Sequence, residues 1–525
     1  MKKLTKYLIV FWLLPALGIM AQSQISVVPR PADVHLFKSV YKVASPAAVY
    51  IDKDAGLDIG YVSEVLKDAG INPSFVKEEK KAKIVFKLEV NPTGNPEAYK
   101  LKVKDKILAT GNSPKALLHA LQTLRQLSDG KSISECEIND VPAFSWRAFM
   151  LDESRHFQGM DEVKKILNEM ARLKFNIFHW HLVDDTGWRI EIKKYPLLTA
   201  LGSKRDFSSL NENPNLTPAD WDKKHNQRAY YTQEEIKEVI EYAKARGIDI
   251  MPEIELPGHA SASIYAYPWL GTSSRKENKP VYGDLYNVID PNMEWFFKDV
   301  LDEVIAMFPF KVIHIGGDEA NYIHWQQCDA INEFMKINNL PTYTDLQLWS
   351  INRISKYLTF KGSKMMGWNE ITGDNIRNDA HVQASKAEKL AAGTIVHFWD
   401  GDVSLVNKAI EKGYYVVNSH RHETYLDYSY EVTPFEKTYN FNPIPQDLAE
   451  KDKDKILGFG CQMWGEFTPN TDRLYFQIYP RIAALAECGW TSAENKNYKD
   501  FRNRFKNIEQ LWKEKGYLKN QLDKY

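Results

Sequence analysis

Eight short apolar segments recur along the chain after Val141, and this repetition constrains the fold more than any other feature of the sequence. Each segment ends in polar or aromatic residues, and most are followed by a helical pattern. The segments are 149–152, 176–184, 248–255, 312–319, 365–370, 395–399, 414–419 and 456–466. Eight alternating strand and helix units predict an α/β fold, a closed parallel (β/α)8 barrel of the TIM type. An open doubly wound sheet is the alternative, but no glycine-rich phosphate loop follows the first segment.

The 525 residues are too many for one average domain, and the pattern changes near residue 141. Residues 22–141 predict a small non-catalytic α+β domain. It has strand-like runs at 83–88 and 99–103, and its helical segment at 113–127 has leucines at the helical period. Residues 142–525 are long enough for the barrel, which typically takes about 250 residues or more.

One helix between the second and third segments has clear ends in the sequence. Thr232 and Glu235 have the spacing of a capping box, and Gly247 follows the last apolar position. The apolar residues between them recur at the helical period. We therefore expect a helix that begins after Thr232 and ends before Gly247.

Residues 1–21 predict a secretory signal peptide. Lys2, Lys3 and Lys6 precede an apolar run at 7–20, and a polar stretch follows Ala21. A membrane anchor is the alternative, but the run is shorter than the roughly 20 residues that span a bilayer. We therefore expect an exported protein, periplasmic or secreted, without stable membrane insertion.

Charge and cysteine content narrow the possible partners. The formal net charge of -1 gives no electrostatic reason to expect nucleic-acid binding, which needs a clustered basic surface. None of the four cysteines, Cys136, Cys328, Cys461 and Cys488, forms a C-x-x-C pair, so a thiolate zinc site is disfavoured. Isolated thiols are favoured over disulfides, although the pairings stay open. The sequence does not fix the oligomeric state.

The ends of the eight segments carry an unusual number of functional side chains. Active residues of a (β/α)8 barrel lie at the carboxyl ends of its strands. If these strand ends served stability alone, they would not need so many carboxylates and tryptophans. The candidates are Asp152, Arg155, Asp184, Asp185, Glu255, His259, Asp318, Glu319, Trp368, Glu370, Trp399, His420, Trp464 and Glu466.

The most informative segment is 314–320, which contains two glycines followed by two adjacent carboxylates. Gly316 and Gly317 let the backbone bend and approach other groups closely. Neighbouring residues of a strand point to opposite sides, so we expect Asp318 and Glu319 to project differently. One carboxyl group can then donate a proton while the other contacts another part of the substrate. Glycoside hydrolysis usually uses such a pair of carboxyl groups.

This segment resembles the signature of the family 20 glycoside hydrolases, the β-N-acetylhexosaminidases. Other segments resemble motifs of the same family and stand in the expected order. They are 151–157, 179–185, 187–189, 252–259, 368–370, 425–427, 464–466 and 480–487, together with Trp399. The first domain is similar to the family's non-catalytic N-terminal domain at 29–31 and 122–124. The resemblance therefore covers nearly all of the mature chain.

The resemblance implies an exo-β-N-acetylhexosaminidase, which would remove terminal non-reducing β-linked N-acetylglucosamine or N-acetylgalactosamine from glycans. It also implies a retaining mechanism, in which the acetamide oxygen of the substrate attacks the anomeric carbon and gives an oxazolinium-like intermediate. No cofactor or metal is implied. The sequence does not fix the natural glycan, its linkage or the preference between the two sugars.

Carried over position by position, the resemblance assigns five residues to the chemistry. Glu319 would be the general acid and later the general base, and burial near other carboxylates would favour its protonated form at the start. Asp318 would stay charged and hold the acetamido group, and Tyr425 would donate a hydrogen bond to the acetamido carbonyl. Asp184 and His259 would form a relay with Glu319.

The resemblance assigns a second set of residues to sugar binding. Three tryptophans would enclose the acetamido methyl group and the sugar face, and three polar residues would bind hydroxyl groups away from the anomeric carbon. These are Trp368, Trp399 and Trp464, and then Arg155, Asp427 and Glu466. Two positions depart from the family pattern: Glu255 stands where aspartate is more common, and Thr186 where glutamine is expected.

Two other functions stay open. His179 and His181 form an H-x-H pattern with both imidazoles on one face of a strand, and in a metal-dependent amidohydrolase such a pair holds a metal. Against this function, no histidine ends the fifth segment and no aspartate closes the eighth. The second function is a catalytically inactive sugar-binding barrel. Such proteins usually lose the acid, whereas Asp318, Glu319 and Tyr425 are all present here.

Overall fold

The computed structural model describes residues 25–91, 94–203, 228–273, 283–374, 383–385, 389–519 and 521, so the predicted signal peptide lies outside it. Its first domain is a mixed seven-stranded sheet with helices. The strands are β1 (Asp33–Lys42), β2 (Ala47–Ile51), β3 (Pro73–Phe75), β4 (Ile84–Leu88), β5 (Tyr99–Val103), β6 (Ile107–Gly111) and β7 (Ser132–Asp140). The helices are α1 (Ile59–Asp68) and α2 (Pro114–Leu127). The strand order in the sheet is β1-β7-β5-β6-β4-β2-β3.

Helix α2 forms because both its start and its buried face are specified in the sequence. The Ser113 side chain accepts a hydrogen bond from the Ala116 backbone N–H, and Pro114 occupies the first turn, where its missing N–H is not needed. The face that carries Leu117 and Leu121 is buried against the sheet. This helix and strands β4 and β5 lie where the sequence predicted them.

The second domain is a closed barrel of eight parallel strands. The strands after β7 are β8 (Trp146–Asp152), β9 (Ile177–His181), β10 (Val183–Asp184), β11 (Gly187–Trp188), β12 (Asp249–Glu253), β13 (Val312–His314), β14 (Lys364–Trp368), β15 (Ile395–Phe398), β16 (Tyr415–Asn418) and β17 (Ile456–Met463). Strands β10 and β11 form a separate two-stranded ribbon, and the other eight form the barrel. Each predicted apolar segment overlaps one barrel strand, so the predicted (β/α)8 fold is confirmed. The pairing of β17 with β8 closes the barrel.

Helices surround the barrel and connect its strands. They are α3 (Met160–Arg172), α4 (Leu197–Ala200), α5 (Gln233–Lys244), α6 (Ser261–Ala266), α7 (Pro291–Met307), α8 (Ile323–Gln326), α9 (Asp329–Ile337), α10 (Tyr343–Phe360), α11 (Ser404–Glu411), α12 (Arg421–Thr424), α13 (Phe435–Asn440), α14 (Thr471–Ile478), α15 (Arg481–Trp490) and α16 (Tyr498–Glu514). The capping box of Thr232 and Glu235 is present at the start of α5, as predicted. Among the described helices, none has the length and apolarity needed to cross a membrane.

Buried charged side chains join the two domains at the amino-terminal end of the barrel. Lys174 Nζ lies 2.9 Å from Asp140 Oδ2, and both side chains are 0% exposed. Arg147 and Glu97 form a second pair, with an N–O distance of 2.7 Å. Trp490 Nε1 also donates a hydrogen bond to Asp140. The first domain is thus fixed to the end of the barrel opposite the predicted site.

The four cysteines are separate thiols. Cys136, Cys461 and Cys488 are buried, Cys328 is partly buried, and none is bonded to another. The preference for isolated thiols over disulfides is therefore confirmed.

Lys174→Met should destabilise the folded protein by about 3–5 kcal/mol, because the Asp140 carboxylate would stay buried without its counter-charge. The measurement is the free energy of unfolding by urea, followed by circular dichroism. Lys102→Met is the matched control. The side chains of Lys102 and its partner Glu137 are 51% and 43% exposed, so that change should cost less than about 1 kcal/mol. Equal losses for the two variants would contradict the role assigned to the buried pair.

Candidate active site

A pocket of about 230 Å³ opens at the carboxyl ends of the barrel strands. This volume is below the roughly 300–1,000 Å³ typical of pockets for drug-sized ligands, so it suits a small group such as one sugar ring. Of the residues that the resemblance assigned to the site, all except Trp368 line this pocket. The additional lining residues are His181, Glu255, Arg421, Tyr428 and Phe467.

The segment with the two adjacent carboxylates is a loop rather than a strand. Strand β13 ends at His314, and the backbone then turns through Gly316 and Gly317 at φ angles of 63° and 96°. A Cβ atom at position 316 would overlap the Glu255 carboxyl group, which explains the glycine there. Glu319 also has a positive φ, 47°, a strained conformation of the kind found at functional sites.

The prediction that Asp318 and Glu319 point to opposite sides is wrong, because strand alternation does not apply in this loop. His259 Nε2 lies 3.6 Å from Asp318 Oδ2 and 4.0 Å from Glu319 Oε2, so both carboxyl groups face one imidazole. They differ in burial instead: Asp318 is buried, whereas the Glu319 side chain is 45% exposed. Glu319 is therefore not buried, contrary to the expectation from the sequence.

His259 is surrounded by carboxyl groups. Its Nδ1 atom lies 3.3 Å from Asp185 Oδ2 and 3.5 Å from Asp184 Oδ1. Burial would lower the pKa of His259, but the charges of Asp184 and Asp318 outweigh burial and hold this pKa well above its ordinary value. The surrounding carboxylates therefore favour the protonated, positively charged form of His259. The expected contacts of Asp184 and Glu319 with His259 are present, and Asp185, a candidate to which the resemblance assigned no role, is a closer neighbour.

Arg155 is a second cation of the pocket and links three strand ends. Its guanidinium group lies 3.1 Å from Asp152, 2.8 Å from Asp184 and 3.9 Å from Glu466. The same group lies over the ring of Trp464, 5.1 Å from the ring centre. One positive charge thus orders carboxylates from the first, second and eighth barrel strands.

His181 and Glu255 line the pocket, although the resemblance gave them no role. His181 Nδ1 lies 3.2 Å from Asp152 Oδ1, and its Nε2 lies 3.2 Å from Glu255 Oε1. Burial raises the pKa of Glu255 well above its ordinary value, and the charges of Glu253 and Asp318 add to the shift. The sequence shows that both residues stand at strand ends, but only contacts between distant segments show that they face the pocket.

The two histidines of the H-x-H pattern both approach Glu253 Oε2, but His179 Nε2 is much closer to this atom than His181 Nε2, which lies 3.9 Å away. His179 Nε2 lies 2.7 Å from Glu253 Oε2, and Glu253 Oε1 lies 2.8 Å from His314 Nδ1. Four groups of described side chains place three potential metal-ligand atoms within 4.8 Å of one another. His179 belongs to a group with Glu253 and His314, and His181 to another with Asp184 and Glu255. Within the described residues, the H-x-H pair therefore does not contribute jointly to one candidate metal centre.

An aromatic cluster forms one wall of the pocket. The rings of Trp399 and Tyr425 are stacked, with centres 6.2 Å apart and planes at 11°. The ring centre of Trp464 lies 6.0 Å from that of Tyr425. Trp368 belongs to the same cluster but is only 1% exposed and does not line the pocket. The structure thus places Trp368 behind the wall and not at its surface.

Asp427 and Glu466 form a pair of carboxyl groups at the pocket. Burial raises the pKa of Asp427 to about 8, and the charge of Glu466 adds to the shift. Burial also raises the pKa of Glu466, although Arg155 opposes this effect. A carboxyl group that keeps its proton at neutral pH can both donate and accept hydrogen bonds. Such a group suits the recognition of hydroxyl groups, which also do both.

Comparison with known proteins agrees with this fold. The sequence model of the glycosyl hydrolase family 20 catalytic domain matches residues 144–493, and that of the family's domain 2 matches residues 24–141. A β-hexosaminidase of Porphyromonas gingivalis is 33% identical over 424 residues, which cover 76% of this chain and 51% of that protein. A β-hexosaminidase of Vibrio furnissii is 36% identical over 428 residues, which cover 77% of this chain and 66% of that protein. The chain thus matches about half of the first relative's length and somewhat less than two thirds of the second's.

Solved structures of similar proteins have the same architecture. A β-N-acetylhexosaminidase from Bacteroides fragilis aligns with a TM-score of 0.80 at 29% identity, over 94% of this chain and 96% of that one. An exo-β-N-acetylglucosaminidase from Vibrio harveyi, solved in complex with N-acetylglucosamine, also aligns with a TM-score of 0.80 at 29% identity, over 94% of this chain and 79% of that one. The match to the catalytic-domain model alone extends over more than half of the chain. The chain therefore belongs to glycosyl hydrolase family 20.

Proposed function

We propose that this protein is an exo-β-N-acetylhexosaminidase, which removes terminal non-reducing β-linked N-acetylglucosamine or N-acetylgalactosamine from glycans. The observation that carries the proposal is the environment of Asp318. This residue lines the pocket, and its buried Oδ1 atom has no hydrogen-bond partner among the described residues. A buried carboxylate oxygen without a donor is costly, and the amide N–H of a 2-acetamido group would supply that donor.

In the proposed reaction the substrate supplies its own nucleophile. The acetamide oxygen bonds to the anomeric carbon as the glycosidic C–O bond breaks, and Glu319 transfers its proton to the leaving oxygen. The positive charge of the oxazolinium-like intermediate is stabilised by Asp318, which lies next to Glu319 in the pocket. Burial holds the pKa of Tyr425 well above its ordinary value, so its hydroxyl group remains a donor for the acetamide carbonyl.

Water completes the reaction with the same residues. Glu319, now deprotonated, accepts a proton from water as the water oxygen bonds to the anomeric carbon and the intermediate opens. Two successive displacements at one carbon retain its configuration. His259, 4.0 Å from Glu319, stabilises the carboxylate between the steps, and Asp184 holds this cation from the other side. The exposed position of Glu319 gives water access to it.

The other pocket residues are proposed to hold the sugar. Polar groups would bind its hydroxyl groups, and aromatic rings would enclose the acetamido group and one sugar face. The polar residues are Arg155, Asp427 and Glu466, and the aromatic ones are Trp399 and Trp464, supported from behind by Trp368. The small pocket volume supports exo action, because it suits one terminal sugar and not a continuing chain.

Neither alternative from the sequence has a comparable supporting observation. A metal-dependent amidohydrolase would use His179 and His181 together, yet these belong to different ligand groups in the described structure. An inactive sugar-binding barrel would not need an acid, yet Glu319 lines the pocket. Activity that survives an excess of chelator would exclude the first alternative. Turnover of an aryl β-N-acetylglucosaminide would exclude the second.

We also propose that the protein is exported through a signal peptide at residues 1–21. The support is the basic start, the apolar run and the small residue Ala21 at its end. Amino-terminal sequencing of protein from the periplasm or the medium should find a chain that begins near residue 22. A chain that keeps its original amino terminus and stays in the cytoplasm would contradict this proposal.

The 2-acetamido group should be required for the chemistry and not only for binding. A 2-hydroxyl group in its place removes the attacking oxygen, and an oriented intramolecular nucleophile is worth effective molarities of about 10⁵–10⁸ M. The kcat of an aryl β-glucoside should therefore be negligible beside that of the matched aryl β-N-acetylglucosaminide. Similar kcat values, with the difference confined to KM, would indicate an enzyme nucleophile and overturn the mechanism.

Glu319→Gln should leave the fold intact and slow the hydrolysis of a β-linked disaccharide by about 10²- to 10⁴-fold, the usual contribution of a general acid. A dinitrophenyl glycoside should be affected less in its first step, because its leaving group needs little protonation. The rates of both substrates are measured beside those of Glu333→Gln, a control that changes an exposed carboxyl group outside the pocket. A near-normal rate of Glu319→Gln on the disaccharide would show that Glu319 is not the acid.

A further inference from the structure

The carboxyl group of Glu370 is buried beside the pocket but has no part in the reaction proposed above. Glu370 follows strand β14 in the short turn Asn369–Thr372 and does not line the pocket. Its Oε2 and Oε1 atoms lie 3.1 Å and 3.3 Å from the indole Nε1 atom of Trp399. Trp399 does line the pocket, so Glu370 can influence the pocket through this ring.

Trp399 is held in place by two consecutive residues of that turn. The side-chain oxygen of Asn369 accepts a hydrogen bond from the Trp399 backbone N–H at 3.0 Å, and the Asn369 amide donates to the backbone carbonyl of Asp400 at 3.0 Å. These bonds fix the backbone at the end of β15. The bond from Nε1 to Glu370 instead fixes the rotation of the indole, whose ring stacks with Tyr425.

We propose that Glu370 is a positioning residue that fixes the ring of Trp399 and thereby sets the size of the 2-acyl group that the pocket accepts. This inference rests on the proposed function, because it takes the aromatic wall to enclose the acyl chain. An indole N–H buried without an acceptor is costly, so the buried Glu370 carboxyl group favours the ring orientation that keeps this hydrogen bond. An apolar side chain at position 370 would remove this restraint without changing a group that touches the substrate.

Glutamine is the conservative replacement at position 370. Burial raises the pKa of Glu370 to about 8, and the charge of Asp318 adds to the shift, so the neutral acid predominates at neutral pH. A neutral acid and an amide have the same shape, and each offers a carbonyl oxygen to the indole N–H. Glu370→Gln should therefore keep Trp399 in place and leave the charge beside Asp318 unchanged.

The test compares aryl β-glycosides that carry either a 2-acetamido or a 2-butanamido group. The quantity is the ratio of kcat/KM for the acetamido substrate to that for the butanamido substrate. Glu370→Leu should lower this ratio about tenfold, because the released indole can turn away from the longer chain. Glu370→Gln should keep the ratio within about twofold of the wild type. Asp374→Asn is the matched control, since Asp374 is buried near the same turn but pairs with Lys412, and its ratio should not change.

A folded Glu370→Leu protein with the wild-type ratio would overturn the proposal, and so would an equal fall in Glu370→Gln. If thermal unfolding shows that Glu370→Leu does not fold, Trp399→Phe tests the same hydrogen bond by removing its donor instead of its acceptor. Phenylalanine has no N–H to bond, so its ratio should also fall, and an unchanged ratio would overturn the proposal. A wild type that hydrolyses neither substrate would overturn the proposed function and this inference together. An active wild type with unchanged ratios in the variants would overturn this inference alone.

Discussion

The pairing of β17 with β8 is the contact on which the rest of the site depends. These strands come from opposite ends of the barrel sequence, and their register closes the ring. Just beyond their ends, the Gly465 backbone N–H donates a hydrogen bond to Asp152 Oδ2 at 2.9 Å. A side chain at position 465 would press against the Asp152 carbonyl, so only glycine allows this approach. Closure thereby brings Glu466, near the end of the barrel sequence, to Arg155, near its start.

Arg155 and His259, two of the cationic side chains that line the pocket, separate regions of different charge. Arg155 and His259 contact Asp184 from two sides, which keeps positive and negative groups paired there. Asp427, at the pocket, and Glu370, behind its wall, are buried without an equal counter-charge, and the pKa values of both carboxyl groups rise to about 8. A charged region can stabilise charge that develops during a reaction, whereas neutral acids can exchange hydrogen bonds with hydroxyl groups. The positions of the cations, more than the number of carboxylates, therefore determine which region stabilises charge and which binds hydroxyl groups.

Most of the fold could be predicted from the sequence because its signals are local. A barrel strand is a short apolar run, and a helix such as α5 begins at a capping box that a few residues define. For the site, the sequence could predict only which side chains stand at the ends of the strands. The sequence could not show that β13 stops at His314, that Glu319 is half exposed or that Trp368 lies behind the pocket wall. These properties arise from contacts between distant segments, such as the Glu255 carboxyl group packed over Gly316.

The ion pairs at the domain interface limit how the two domains of this protein can be exchanged with domains of other proteins. A barrel domain that begins after residue 141 would keep Lys174 and Arg147. It would lose their partners Asp140 and Glu97. Cations that are now buried would then lie in a newly uncovered surface, on the face opposite the pocket. A chimera with a foreign N-terminal domain would have to supply a carboxylate at each of these two places. The N-terminal domain can therefore be exchanged between proteins only where these buried charge pairs match, although the barrel alone carries the pocket.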